Sequence, residues 1–214
     1  MNILHVDCSP RIESHSRALS SAMVKLLLEQ HPHATVLRRD LGLEPIAHPD
    51  GRYAAALATP GAMAAALETN PANGDLQLSE WLIQEVEAAD VLVIGTPMNN
   101  FTLPSVFKAW IDQLLRVGRS IGMSAGGEKI GLLKDKPVYI GIASGGVFSG
   151  PEARQPDFLT PYLTTAFGCI GLTSLQFLPL QATAFLDPAQ LEANRETVLA
   201  TMDLTRVEQT AHAA

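Results

Sequence analysis

Three clusters of hydrogen-bonding residues in this 214-residue sequence could do chemistry, and each has the composition of a binding loop. The first is Cys8-Ser9-Pro10-Arg11-Ile12-Glu13-Ser14-His15-Ser16-Arg17. Hydroxyls at Ser9, Ser14 and Ser16, together with the free amides of a helix start, make an anion cradle that needs no lysine. A single phosphate monoester fits it; the alternative is that Ser14 or Ser16 simply caps the helix. His15 could turn its ring to the phosphate or face solvent. Neither G-x-G-x-x-G nor G-x-x-x-x-G-K-[ST] occurs here, which argues against a Rossmann dinucleotide site and a P-loop. The second cluster, Pro97-Met98-Asn99-Asn100-Phe101, has no titratable group and so supplies no general acid or base. Its donors, acceptors and flat apolar wall suit a planar, polar-edged heterocycle held as a cofactor. The plainer alternative is a Pro/Asn turn with Phe101 plugging the core. The third, Ala143-Ser144-Gly145-Gly146, carries paired glycines. They would let a ligand approach the backbone and its amides, or would merely form a turn.

Each cluster follows a short apolar run. Val91 to Gly95, preceded by the amphipathic segment Leu78 to Ala89, reads as a strand buried on both faces of a parallel sheet. Ile3 to Asp7 and Val138 to Ala143 read likewise, with further strands at Ala34 to Arg39 and Ser174 to Pro179. Helices are expected over Ser16 to Gln30, Leu78 to Ala89, Ser105 to Arg116, Phe158 to Phe167 and Pro188 to Glu208. Such alternation gives a five-stranded doubly wound sheet with its ligand crevice beyond the carboxyl ends of the strands. Residues 40 to 75 are an excursion rich in Ala, Gly and Pro. It is helix-prone over Tyr53 to Leu67, with Leu57, Met63 and Leu67 as anchors, and is expected to pack over the fold edge. The glycine-rich Val117 to Lys136 reads as a loop or hairpin near the ligand.

Composition bounds the rest. With 47% apolar and 17% charged residues, the chain suits one well-buried domain spanning 1–214. A net charge of −7 argues against a nucleic-acid partner. No apolar stretch is long enough for a membrane span, and the N-terminus opens as a strand instead of a leader, so a cytoplasmic location is expected. Cys8 and Cys169 lack disulfide or metal spacing and read as free thiols acting as small core hydrophobes. The scattered histidines His5, His15, His31, His33, His48 and His212 give no metal-ligand spacing. Trp81 and Trp110, at helical spacing among apolar neighbours, read as core.

The ordered motifs resemble the FMN-dependent NADH-azoreductase family of flavodoxin-like NAD(P)H:quinone oxidoreductases. They are S-P-R…S-x-S at Ser9 to Ser16, P-M-x-N-F at Pro97 to Phe101 and a K-x-W-I-D helix at Lys108 to Asp112. The Gly145-Gly146 pair follows, then Leu159-Thr160-Pro161-Tyr162-Leu163 leading to Phe167-Gly168. The resemblance implies an α/β flavodoxin-like sheet of five parallel strands with helices on both faces. It implies that Ser9, Ser14, His15 and Ser16 hold the FMN phosphate, that Pro97, Met98, Asn99, Asn100 and Phe101 line the isoalloxazine, and that Ala143, Ser144, Gly145 and Gly146 meet its pyrimidine edge. NADH or NADPH would reduce the flavin and leave, and a quinone, azo compound or other flat aromatic acceptor would then take two electrons at the same place. No catalytic side chain is implied, because water can provide the proton. A homodimer with the site at the subunit boundary is also implied. Asn99 stands where many members have Tyr, and Ser144 where many have Arg. The alternatives are a flavodoxin-type electron carrier, which would show an acidic docking rim that the site loops lack, and an FMN reductase.

Overall fold

The computed structural model describes residues 1–58 and 74–207. Five parallel strands form one sheet: β1 (Asn2–Asp7), β2 (Thr35–Asp40), β3 (Val91–Pro97), β6 (Val138–Ala143) and β7 (Leu175–Leu180), in the order β2-β1-β3-β6-β7. The short strands β4 (Ile121–Met123) and β5 (Lys129–Gly131) make a separate antiparallel hairpin. The helices are α1 (His15–Gln30), α2 (Gly51–Ala58), α3 (Gln77–Ala88), α4 (Ser105–Leu114), α5 (Thr160–Ile170) and α6 (Pro188–Ala200).

The three central strands are buried on both sides because helices cover both faces, and among their buried residues only His5, Asp7 and Thr96 are polar. Alternate residues go to different cores. Leu4, Val6, Leu92, Ile94, Ile140 and Ile142 pack with α3, α4 and α5. Ile3, Val91, Val93 and Tyr139 pack with α1, α6 and the chain beyond it. The strand order reverses between β1 and β3, and that reversal opens the crevice at their carboxyl ends.

The elements differ from expectation at identifiable places. The fifth expected helix ends at Ala200, after which Met202 and Val207 fold back into the second core; residue 208 lies outside the described residues. Helix α5 begins at Thr160 instead of Phe158 because the Asp157 carboxylate accepts from the amides of Leu159 and Thr160, both at 2.9 Å, and sets the start. Phe158 is left 63% exposed. The hairpin β4–β5 does form within 117–136, but it is anchored away from the crevice. Leu133 N donates to Ile170 O at 3.0 Å, at the end of α5 that feeds the amino end of β7, whereas the crevice lies at the strands' carboxyl ends. Trp110 is fully buried against Phe107 and Phe167. Trp81 is not core: it is 55% exposed, because the buried stripe Ser79, Leu82, Ile83 and Val86 of α3 faces the sheet and residue 81 points the opposite way.

In the excursion, Asp50 accepts from the amides of Arg52 and Tyr53 at the start of α2. Buried Tyr53 reaches the Asp112 carbonyl at 3.4 Å, and Gln113 Nε2 reaches the Ala47 carbonyl at 3.4 Å, so this stretch lies on α4. Met63 and Leu67 fall outside the described residues.

Candidate active site

Three loops meet at the carboxyl ends of β1, β3 and β6. Cys8 N donates to Gly95 O at 2.9 Å, and Met98 N to Ala143 O at 2.9 Å, so the sheet ladder itself fixes their spacing. In the β1–α1 loop, Ser9 and Ser16 are both buried. Ser14 is the N-cap of α1, its Oγ accepting from Arg17 N at 3.3 Å, and it lies 2.9 Å from Ser16 Oγ. Ser14 thus closes the helix, and the serine cluster lies beside first-turn amides that have no intrahelical acceptor. His15 is half-buried in that first turn.

Glycine makes this placement sterically feasible. A Cβ on Gly95 would stand 2.4 Å from Ser20 Oγ and 2.7 Å from the Ser16 carbonyl, so only a bare residue on β3 lets α1 begin so close.

Beneath the loop lies a buried charge cluster. The fully buried Asp7 carboxylate accepts from Ser20 Oγ at 3.1 Å and from Arg38 Nη2 at 2.6 Å, with His5 Nε2 at 3.5 Å. Burial alone would raise its pKa, but the hydrogen bonds and charges of His5 and Arg38 outweigh it and hold Asp7 at about 2. A carboxyl with a folded pKa below its unfolded value stabilises fully above the unfolded value and loses that contribution as pH falls through the folded one. Asp7 is thus expected to contribute about 2 kcal/mol at neutral pH, lost between about pH 4 and pH 2. Urea denaturation across that window checks it. Asp7→Asn should show a shallower acid loss than wild type, and identical slopes would contradict the assignment.

The β3 loop is a tight turn closed by reciprocal bonds, Asn99 N to Thr102 O at 2.8 Å and Thr102 N to Asn99 O at 3.0 Å. At its tip Asn100 and Phe101 have φ of 48° and 69°. A left-handed conformation is uncommon for any residue with a Cβ and is an outlier for a bulky aromatic, costing of order 1–3 kcal/mol. Such strain clusters at ligand clamps, and here it has a visible outcome: Phe101 does not plug the core but stands 46% exposed over the crevice mouth. Its carbonyl accepts from Phe158 N at 3.0 Å, which ties the backbone of a second exposed phenylalanine to this turn. Asn99 and Asn100 are exposed, and Met98 is half-buried.

In the β6 loop, Ser144 N donates to Leu180 O and the Ser144 carbonyl accepts from Thr183, which pins the loop to the chain after β7. The amides of Gly145 and Gly146 find no acceptor among the described residues. Two residues that sequence reasoning missed complete the site. Gln155 Nε2 lies 3.1 Å from both Ser144 Oγ and Met98 Sδ, tying the β3 and β6 loops together. Gln181 Oε1 accepts from the amides of Phe148 and Ser149 at 2.7 and 2.9 Å and holds the chain beyond the glycines. Neither belongs to a periodic segment, so no local pattern marks them.

Other candidates stand apart. Lys108 pairs with Asp112 on the surface of α4. The Cys8 thiol is buried, and burial together with the Asp7 charge pushes its pKa well up, so it is no nucleophile at neutral pH. Among the described residues no group of three or more His, Cys, Asp or Glu could hold a metal ion, and no helix is long and apolar enough to cross a membrane.

Residues 1–203 match a family described as having a flavodoxin-like fold. The FMN-dependent NADH:quinone oxidoreductase 4 of Pseudomonas fluorescens strain Pf-5 is 43% identical over 206 residues, covering 96% of this chain and 92% of its own. The chain belongs to the flavodoxin-like FMN-dependent NADH:quinone oxidoreductase family. FMN-dependent NADH:quinone oxidoreductase 2 of Cupriavidus pinatubonensis strain JMP 134 is 41% identical, covering 85% of this chain and 86% of its own. The crystal structure of an azoreductase from Bacillus anthracis strain Sterne superposes on the oxidoreductase chain with a TM-score of 0.74 at 22% identity, covering 100% of this chain and 98% of its own. At that identity the likeness speaks for the fold.

Proposed function

We infer that the protein is an FMN-dependent NAD(P)H oxidoreductase that reduces quinones and reductively cleaves aromatic azo compounds. The observation that carries this reading is the convergence of a buried hydroxyl cradle, a strained aromatic turn and two free glycine amides at one end of the sheet. The residues fit the group. Ser9, Ser14, His15 and Ser16 lie together where β1 leads into α1 and would hold a phosphate monoester through hydroxyls and first-turn amides. Pro97, Met98, Asn99, Asn100 and Phe101 offer a flat wall with polar edges, and Ala143, Ser144, Gly145 and Gly146 offer donors to a pyrimidine edge. Bound there, FMN supplies two-electron transfer between a nicotinamide and an acceptor.

The chain's own contribution is placement and electrostatics. Amides at Gly145 and Gly146 are positioned to stabilise negative charge that develops at the polar edge of a bound ring. The β3 and β6 loops carry no titratable side chain, and water can provide the acceptor's proton. The exposed rings of Phe101, Phe158 and Phe185, the last of them 80% exposed, support a homodimer in which a second copy covers this rim. Two free cysteines fit a reducing, cytoplasmic setting.

If reductant and oxidant occupy one space in turn, initial rates at varied NADH and several fixed quinone concentrations give parallel double-reciprocal lines. Intersecting lines would reject the shared site. Asn99 offers a sharper probe, because it is exposed beside the strained turn where an aromatic side chain would add a stacking wall. Asn99→Tyr is expected to lower KM for a compact quinone by up to about tenfold, an aromatic contact contributing roughly 0.5–1.5 kcal/mol. Bulky azo dyes gain less or lose. An equal shift for both acceptors would remove residue 99 from the acceptor pocket.

A further inference from the structure

The buried cluster under the serine loop contains a residue whose geometry exceeds what a structural ion pair requires. Arg17, one helical position beyond Ser16, is only 7% exposed at its side chain. Two of its nitrogens donate to a single backbone oxygen: Nε and Nη2 reach the Ser9 carbonyl at 3.0 and 2.6 Å. The other edge of the fork meets the carboxylate at the end of β2, Nη1 to Asp40 Oδ2 at 2.7 Å and Nη2 to Asp40 Oδ1 at 2.5 Å. Asp40 is held in turn by Leu43 N at 3.0 Å, and Gly42 N donates to the Asp7 carbonyl at 3.2 Å. Gly42 presses on the same point from outside: a Cβ there would stand 1.9 Å from the Ser9 carbonyl oxygen and 2.9 Å from Arg17 Nη2.

We propose that Arg17 is a positioning residue for the cofactor phosphate, gripping the Ser9 carbonyl from behind the loop and fixing its curvature against the end of β2. This rests on the reading that Ser9 to Ser16 take the FMN phosphate. The planar guanidinium puts two N–H groups on the carbonyl and two on the carboxylate in one fixed geometry, whereas an ammonium can reach both acceptors only from one nitrogen with a single N–H to each and no fixed plane. The grip also has an electrostatic side. Arg17 and Arg38 face Asp7 and Asp40, so the cluster behind the anion cradle carries two positive and two negative groups. The loop can therefore receive a phosphate with neutral donors in front because the carboxylates behind it are compensated.

The test compares two ligands that differ only in the phosphate, by fluorescence titration of the apoprotein with FMN and with riboflavin. Arg17→Lys retains the charge and loses the fork. It is expected to raise the FMN dissociation constant by about tenfold or more while riboflavin changes by less than about twofold, the loss of hydrogen bonds made by a charged group being of that size. Where Arg17→Lys fails to fold, Asp40→Asn carries the test by the same criterion, since it weakens the contact that orients the Arg17 guanidinium and leaves every atom of the serine loop in place. Equal losses for both ligands would mean a general structural role and overturn the proposal. So would an unchanged FMN constant in Arg17→Lys when Ser9→Ala/Ser16→Ala lowers FMN affinity, an outcome that leaves the phosphate reading standing. If the wild-type protein binds riboflavin as tightly as FMN, the phosphate reading itself fails and the proposal falls with it.

Discussion

Ser9→Ala combined with Ser16→Ala is expected to weaken FMN binding by about a hundredfold or more, since each hydrogen bond to a charged oxygen contributes roughly 1.5–3 kcal/mol and tenfold corresponds to about 1.4 kcal/mol. Both side chains are buried, Ser9 just after β1 and Ser16 in the first turn of α1, so water cannot easily replace the lost hydroxyls. The substitutions remove one oxygen each and leave the Ser14 cap in place, so the helix keeps its closure to Arg17 N. Thermal melting of the apoprotein separates a binding defect from a folding defect. Unchanged affinity in the double variant would remove the phosphate from this loop.

Gly95→Ala is expected to cost about 1–3 kcal/mol in stability, the range for overpacking a filled core, and to weaken cofactor binding with it. The added methyl would stand 2.4 Å from Ser20 Oγ, which is already committed to Asp7, and 2.7 Å from the backbone carbonyl of Ser16. A side chain could rotate away; the carbonyl can yield only if the first turn of α1 moves, and that turn carries Ser14 and Ser16. For stability alone, Gly145→Ala is the contrasting control, since a Cβ there meets only Ala184 Cβ at an ordinary 3.5 Å. A Gly95→Ala protein with wild-type melting temperature and FMN affinity would contradict the close approach of α1 to β3.

The parts of this fold legible in the sequence are those whose burial is symmetrical. Val91 to Gly95 and Val138 to Ala143 are apolar on both faces because helices cover both, and Ile3 to Asp7 is buried on both with His5 and Asp7 its polar residues; such runs are hard to read as anything but inner strands. The edge strand β2 is legible too, although Val36 and Leu37 are exposed, because β-branched and apolar residues there still flank a clear turn. What escapes depends on contacts distant along the chain. Arg17 meets Asp40 across 23 positions and Gln155 meets Met98 across 57, and no local period encodes either. Trp81 reads as core because its neighbours are apolar, yet the face of α3 opposite the sheet has nothing to cover it among the described residues. The hairpin at 121–131 reads as a pocket wall because glycine-rich loops often approach ligands. Gly131 instead serves close packing, lying against the backbone of Gly171 at the other end of the sheet, while Gly126 and Gly127 sit in the open turn of the hairpin.

The site loops are legible as chemistry because their residue types exclude so much. A loop without an acid, base or nucleophile can only bind, and a serine-rich helix start without lysine suits one phosphate better than a chain of them. The strained turn at Asn100 and Phe101 has no signature in composition. It takes the backbone to reveal that Phe101 is lifted out of the core.

The central claim is that one crevice holds FMN and passes electrons from a nicotinamide to a small acceptor without a protein partner. Anaerobic stopped-flow absorbance of the purified protein tests it most directly. The expected result is a yellow protein whose flavin band bleaches on mixing with NADH or NADPH alone and returns on mixing with a quinone. A flavin that bleaches only when a separate reductase is added would make the protein a carrier, and a preparation that binds no FMN would contradict the claim at its root.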